Sequence, residues 1–402
     1  MMIIFAGRGK WSKEEFVIKV EPHTNGPLFV ELHFYCRATK KEDIEDFKQE
    51  RDMRHLGIPD LKGCGSFLFR NKRLRFIVMP RYGEDLQMIL ERKAEKSESG
   101  NPNLTVEEAS DIALQVIDAY EYLHHQGYVH KDLKGSNLLF EMKDQDKKKR
   151  STRHSNGTTL RKKIFLVDYG LASRYTYLGF HKPFEPDARS AHEGTLEYTS
   201  RDAHLGCVSR RGDFEVLLYT LIDWLGGKLP WDTDEGLKPP AIQQLKIEAF
   251  HDIKEFLAKA FKDNSYPTFL EDLMISVKKL PFEETPDYDY FRTLFKPYTE
   301  TPVKSIDDTD DAEITLLKPM MRKPSKRRSL PTNKKGSQHT STSQPWTPIQ
   351  MEVYNEKKHE VIRNMCEGSL ANPTPAMLEQ LARMQKRRKG SPSIASTTRR
   401  KG

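Results

Sequence analysis

Residues 127–140 read "GYVHKDLKGSNLLF" and set an aspartate, a lysine and an asparagine within six positions, flanked by apolar residues. Two readings fit. One is a capped polar turn between a helix and a strand. The other is a chemical loop, in which Asp132 accepts a proton, Lys134 offsets negative charge and Asn137 offers an oxygen to a hard cation. This stretch alone does not choose between them.

The rest of the chain does. "FLVDYGLA" at 165–172 runs an apolar strand into Asp168-Tyr169-Gly170, a carboxylate suited to a cation that takes oxygen ligands. "FVIK" places Lys19 on a strand pattern, and Glu31 follows twelve residues later on a helix pattern. Phosphoryl transfer to a hydroxyl needs an oriented nucleophile, cations on the phosphates and groups that hold those cations. His130-Lys131-Asp132 with Asn137 five positions on has the spacing of a kinase catalytic loop, and Lys134 favours Ser/Thr over Tyr as acceptor. Each residue alone reads as an ordinary surface or turn position; the ordered set does not.

Secondary-structure signals place these motifs. "EEFVIKVE" is a strand, and "GPLFVELHFYCRATK" a helix with Leu28, Phe29, Leu32 and Tyr35 on one face. "CGSFLFRNKRLRFIVMPRYG" is a strand pair turning at Asn71-Lys72. Thr105 and Glu108 form a capping box for a helix whose stripe of Ala109, Ile112, Val116, Tyr120 and Leu123 ends at Gly127. Further helices are expected around 213–225, 241–261 and 266–279. The basic stretch 143–163 reads as a surface insertion between two strands.

The chain has 402 residues and a net charge of +8. Residues 301–402 hold 20 Lys+Arg against 10 Asp+Glu, and residues 1–300 hold 46 against 48, so the basicity belongs to the tail. That tail is rich in Ser, Thr, Pro and Lys and is expected to be disordered, with a short basic amphipathic helix at "PAMLEQLARMQKRRK". Four separated cysteines predict free thiols in a reducing compartment rather than a zinc site. No signal peptide or membrane span is read, and a soluble intracellular monomer is expected.

The chain resembles the vaccinia-related kinase family, in the casein kinase one group of Ser/Thr protein kinases. The resemblance rests on "VIKVEPHTNGPLFVELHFYCRA", "YVHKDLKGSNLL", "LVDYGLASRY", "GTLEYTSRDAH" and "SRRGDFEVLLYTLIDWLGGKLPW", in family order across roughly residues 16–300. It implies an α+β, bilobal protein-kinase fold. Residues 1–82 would be an N-terminal lobe with an antiparallel sheet and one helix, 83–300 a mainly helical C-terminal lobe, and 301–402 a basic tail. It further implies ATP and Mg2+ as cofactors. Asp132 would be the proton acceptor, Lys134 its phosphate-neutralising partner, and Asn137 and Asp168 the metal ligands. Lys19 would grip the α/β-phosphates, Glu31 would orient that lysine, and Thr195 would bridge Asp132 and Lys134. Asp213 would anchor the catalytic loop. Val17 and Leu139 would sandwich the adenine behind a Met79 gatekeeper, with the Pro80 carbonyl and Tyr82 N–H reading its edge.

Two departures stand out. Gly9 precedes Lys19 by only ten residues, and eighteen residues look too few for two strands and their hairpin. The N-terminal lobe is therefore expected to lack its first strands and its Gly-rich phosphate loop, which implies a shortened chain or weak ATP binding. Lys131 replaces the arginine that commonly receives an activation-loop phosphate, so activity independent of such phosphorylation is expected. The leading function is a Ser/Thr kinase acting on proteins such as histones or other chromatin components. The alternatives are a pseudokinase scaffold and a nucleic-acid-binding module using the basic tail. "RKPSKRR" at 322–328 and "QKRRKG" at 385–390, with the family's habit, suggest a nuclear location with a cytoplasmic share.

Overall fold

The first apolar run, Ile3–Arg8 (β1), hydrogen-bonds antiparallel to Glu15–Pro22 (β2), with Ile3 opposite Val20 and Arg8 opposite Glu15. The expectation that the lobe lacks its first strands is corrected in one respect: among the described residues a single strand, β1, precedes β2, the strand that carries Lys19. β2 pairs in turn with Lys72–Pro80 (β4), which pairs with Gly63–Phe69 (β3), giving a four-stranded sheet in the order β1-β2-β4-β3. The β3–β4 turn sits one residue earlier than expected. Arg70 and Asn71, with φ of 47° and 63°, carry the left-handed backbone that a tight hairpin requires.

The computed structural model describes residues 3–299 apart from 9–13, 25, 97–102, 143–161, 178, 233–235 and 263–264. The expectations for the Gly9 region, most of the 143–163 insertion and the 301–402 tail, with its basic clusters and short helix, lie outside the described residues.

Not one but two helices follow β2: α1 (Pro27–Ala38) and α2 (Lys41–Glu50). The second escaped the sequence reading because it is short and carries only two buried apolar residues, Ile44 and Phe47. It ties the sheet lobe to the helical lobe. Phe47 packs edge-on against Tyr122 with ring centroids 5.2 Å apart, and Tyr122 donates its hydroxyl to Ala38 O at 2.6 Å. Arg51, just past α2, pairs with the buried Glu121.

The C-terminal lobe opens with α3 (Leu86–Lys96) and α4 (Val106–His125). The capping box at Thr105 and Glu108 forms on α4, satisfying two orphan donors at once. At its end Gly127 takes φ +80°, and a Cβ there would meet Thr176 Oγ1 at 2.7 Å, so only glycine fits. Two-stranded ribbons then carry the loops: β5 (Tyr128–Val129) with β8 (Ser173–Arg174), β6 (Leu138–Phe140) with β7 (Ile164–Leu166), and β9 (Thr176–Tyr177) with β10 (Phe180–His181). α5 (Arg201–His204) precedes α6 (Arg210–Trp224), which is buried along nearly its whole length. The single helix expected over 241–261 is two, α7 (Pro239–Ala249) and α8 (Ile253–Ala260), because Asp252 caps a new helix by accepting from Glu255 N. α9 (Thr268–Lys279) and α10 (Tyr288–Thr299) close the lobe against α6 and α4. Among the described residues no helix is long and apolar enough to cross a membrane.

Candidate active site

α6 positions the central loop. Asp213 lies in its first turn, where the positive end of the helix favours an acid. Its Oδ2 accepts from His130 N and its Oδ1 from Lys131 N, both at 2.9 Å, and Oδ2 also meets His124 Nε2 at 3.0 Å. These bonds hold Lys131 at φ +71°, a left-handed backbone that a lysine adopts only under such constraint. His130 has a fixed tautomer. Val167 O can only accept, so Nε2 donates to it at 3.1 Å, leaving Nδ1 to accept from Asp132 N at 3.2 Å. One buried ring therefore joins the Asp132 backbone to the strand end that carries Asp168.

The Asp132 carboxylate is held on both sides. Oδ1 accepts from Thr195 N at 2.9 Å and from the Thr195 hydroxyl at 2.7 Å. Oδ2 lies 3.1 Å from Lys134 Nζ and 3.3 Å from Asn137 Nδ2. Lys134 also donates to Thr195 Oγ1 at 3.0 Å, so the threonine hydroxyl accepts from the cation and donates to the acid.

Across the cleft, Lys19 on β2 places Nζ 2.8 and 3.0 Å from the two oxygens of Glu31 on α1, and 3.8 Å from Asp168 Oδ1. Burial pushes the Glu31 carboxyl up from its ordinary value, against the pull of Lys19 and with the repulsion of Asp168. Asp168 has φ +65° and accepts from Gly170 N at 3.4 Å. Its side chain remains 41% exposed, open to a ligand. Tyr169 behind it is fully buried, stacked on Phe34 at 3.9 Å, and donates its hydroxyl to Leu166 O at 2.9 Å. The hydroxyl that a phenylalanine would lack thus has a partner inside the core.

The remaining positions that the resemblance assigns to a nucleotide fall at the lobe junction. Val17 and Met79 are cross-strand partners of β2 and β4, with Pro80 one pair further along opposite Phe16. Leu139 lies on β6 and bridges to Asp85. The Tyr82 ring stacks on Phe165 at 4.1 Å.

The donor set suits a magnesium ion. The Asp132 carbonyl can only accept, so Asn137 must turn Nδ2 toward it, at 2.8 Å, which reserves Oδ1 for a cation. An amide oxygen with the Asp168 carboxylate is a hard, incomplete set of the kind Mg2+ completes with phosphate oxygens and water. Among the described residues no group of three or more His, Cys, Asp or Glu could hold a metal by itself.

Other residues at the site were not singled out from the sequence. Glu193 pairs with Lys131 at 2.6 Å. Lys246, fully buried on α7, donates to Leu196 O at 2.8 Å and Thr199 O at 2.7 Å, under the faces of Tyr219 and Trp231. Arg201 is held by Glu215 on α6 at 3.1 Å. Glu193 stands immediately before "GTLEY", a proximity that could have flagged it; a lysine in a polar helix carries no such mark.

A lysine–glutamate pair facing an Asp-x-Gly turn, above a loop pinned by a helix aspartate, defines a class. The protein kinase domain family matches residues 37–329, and the chain belongs to that family. Within it, the similarity is to the vaccinia-related kinases. The chain is 43% identical over 281 residues to nucleosomal histone kinase 1 of Drosophila melanogaster, covering 69% of this chain and 42% of that protein. It is 35% identical over 285 residues to serine/threonine-protein kinase VRK2 of Homo sapiens, covering 70% and 51%. With the B1 kinase of Vaccinia virus (strain Western Reserve) the figures are 33% over 278 residues, 69% and 85%. The solved structure of vaccinia related kinase 3 superimposes with a TM-score of 0.57 at 28% identity, covering 70% of this chain and 79% of that one. The chain spans about half the length of the first two relatives.

Proposed function

We propose that this chain is an ATP-dependent serine/threonine protein kinase, transferring the γ-phosphoryl group of ATP to hydroxyls of protein substrates. One observation carries the reading: Lys19 Nζ lies within 4 Å of both the Glu31 carboxylate and that of Asp168, which is far away in sequence. The chemistry asks mainly for positioning and charge. Lys19, braced by Glu31, holds the α/β-phosphates. Val17 and Leu139 flank the adenine, Met79 closes the pocket behind it, and the Pro80 carbonyl and Tyr82 N–H read its edge. Asp132, oriented through Thr195, accepts the proton of the incoming hydroxyl. Lys134 offsets charge on the transferred group. Bound by Asn137 and Asp168, a magnesium ion supplies charge neutralisation on the phosphate oxygens.

The substrates are proposed to be basic chromatin proteins, histones among them. The name of the Drosophila relative supports this, and the basic clusters at 322–328 and 385–390 support a nuclear location. The test is incorporation of labelled phosphate from Mg·ATP into a histone. Wild type should label it, and Asp132→Asn should fall by about 10²–10⁴ if the aspartate works as a general base. Equal incorporation by both, or none by wild type, would sink the proposal.

A further inference from the structure

The segment from Asp168 to Ser200 must hold Thr195 against Asp132. In many enzymes of this kind a phosphate on such a segment, gripped by an arginine next to the catalytic aspartate, does the holding. Here the neighbour is Lys131, a compact point charge that cannot grip a phosphate bidentately. Its ammonium is 2.6 Å from Glu193 Oε2 and 3.3 Å from Ser173 Oγ, with a side chain only 7% exposed. Those two contacts lie at opposite ends of the segment: Ser173 is on β8, just after the Asp-Tyr-Gly turn, and Glu193 is two residues before Thr195.

Resting on the kinase reading above, we propose that Glu193 is a built-in positioning residue. Its carboxylate takes, on Lys131, the place of a regulatory phosphate, so the substrate-binding segment is ordered without covalent modification.

The charge balance supports a permanent anion there. Burial pushes the Lys182 ammonium down, and the charges of Arg174 and Lys131 act on it in the same direction, so Lys131 lies in a cationic neighbourhood. Removing the Glu193 charge would leave a buried ammonium among like charges, which is costly. The geometry carries the effect to Asp132. Gly194, at φ +113°, passes so close to Lys131 that a Cβ would lie 3.1 Å from Lys131 O. The next residue is Thr195, whose N–H and hydroxyl both reach Asp132 Oδ1. Glu193 touches no reacting atom and acts through this short relay. A single carboxylate also matches one lysine better than a dianion would, because the phosphate would bring more negative charge than one ammonium offsets.

The test uses the full chain, as wild type, Glu193→Gln, and the charge-reversed double variant Lys131→Glu with Glu193→Lys. Amide hydrogen exchange, which needs no turnover, is read first. In Glu193→Gln, amides of residues 193–199 should exchange about tenfold faster while those of α6 stay protected, and the double variant should restore protection. In histone labelling, Glu193→Gln should raise KM for the protein or lower kcat with KM for ATP held, again recovered by the reversal. Phosphatase-treated wild type should keep both its exchange pattern and its rate. Wild-type exchange in Glu193→Gln, or a segment loosened by phosphatase, overturns the proposal. An inactive wild type would strike the kinase reading instead, and the exchange data would still decide this one.

Discussion

Thr195 donates its hydroxyl to Asp132 at 2.7 Å across 63 residues of sequence, while accepting from Lys134 at 3.0 Å. The acid is therefore oriented by a residue on a separate segment. Thr195→Ala should cut kcat by about tenfold to a hundredfold, with Thr195→Ser recovering most of it, because serine keeps the hydroxyl. Steady-state rates on a histone peptide, alongside unchanged melting temperatures, would check this. An alanine variant as active as wild type would remove Thr195 from the mechanism.

Lys19 and Glu31 form a buried pair, and breaking one partner strands the other. Lys19→Met should destabilise the fold by about 3–5 kcal/mol, measured by denaturant unfolding. It should also abolish stabilisation by Mg·ATP, which for an intact site reaches about 2.7 kcal/mol at a hundredfold excess over Kd. A variant that melts lower yet keeps its full nucleotide shift would separate the pair from phosphate binding.

Lys246 ties the segment around Thr195 to α7. Lys246→Met keeps much of the stem but leaves Leu196 O and Thr199 O without their donor. Each stranded carbonyl costs about 1–3 kcal/mol if buried, so a stability loss of this order is expected. Kinetic damage should concentrate in KM for protein substrate, with KM for ATP near wild type.

Acid should weaken the fold early. Burial pushes the imidazoles of His181 and His204 down to about 4 and about 3. In the unfolded chain both titrate near their ordinary value of about 6.5. As pH falls below that value the unfolded state gains protons that the folded state refuses, so stability drops continuously toward the folded values. Denaturant midpoints should decline from neutral pH to about 5, and His181→Asn should flatten the decline. A pH-independent midpoint across that range would contradict the assignment.

Much of the site was legible because its chemistry comes in short local words. "HKDLKGSN" and "VDYG" each fit within one turn and its flanks, and the capping box at Thr105 lies within four residues. What escaped the reading depends on partners far away. Lys131 meets Glu193 across 62 residues, and Lys246 meets Leu196 across 50. α2 was missed because its short helix presents only Ile44 and Phe47 to the core. Of the first two strands, β2 was read from "EEFVIKVE", and only β1 was missed, because its apolar run at residues 3–6 is four residues long.

The amino-acid order by itself settled which acids, amides and amines were present, and where several of the helices and strands would begin, since capping and apolar periodicity act over one or two turns. Only folding decided which of those groups would meet. Asp213 holds a loop more than eighty residues upstream, a pairing foreseen only through the family resemblance, and one imidazole joins Asp132 to the strand of Asp168. Such pairings become favourable only when packing removes water from both partners together, a long-range condition that no local pattern encodes.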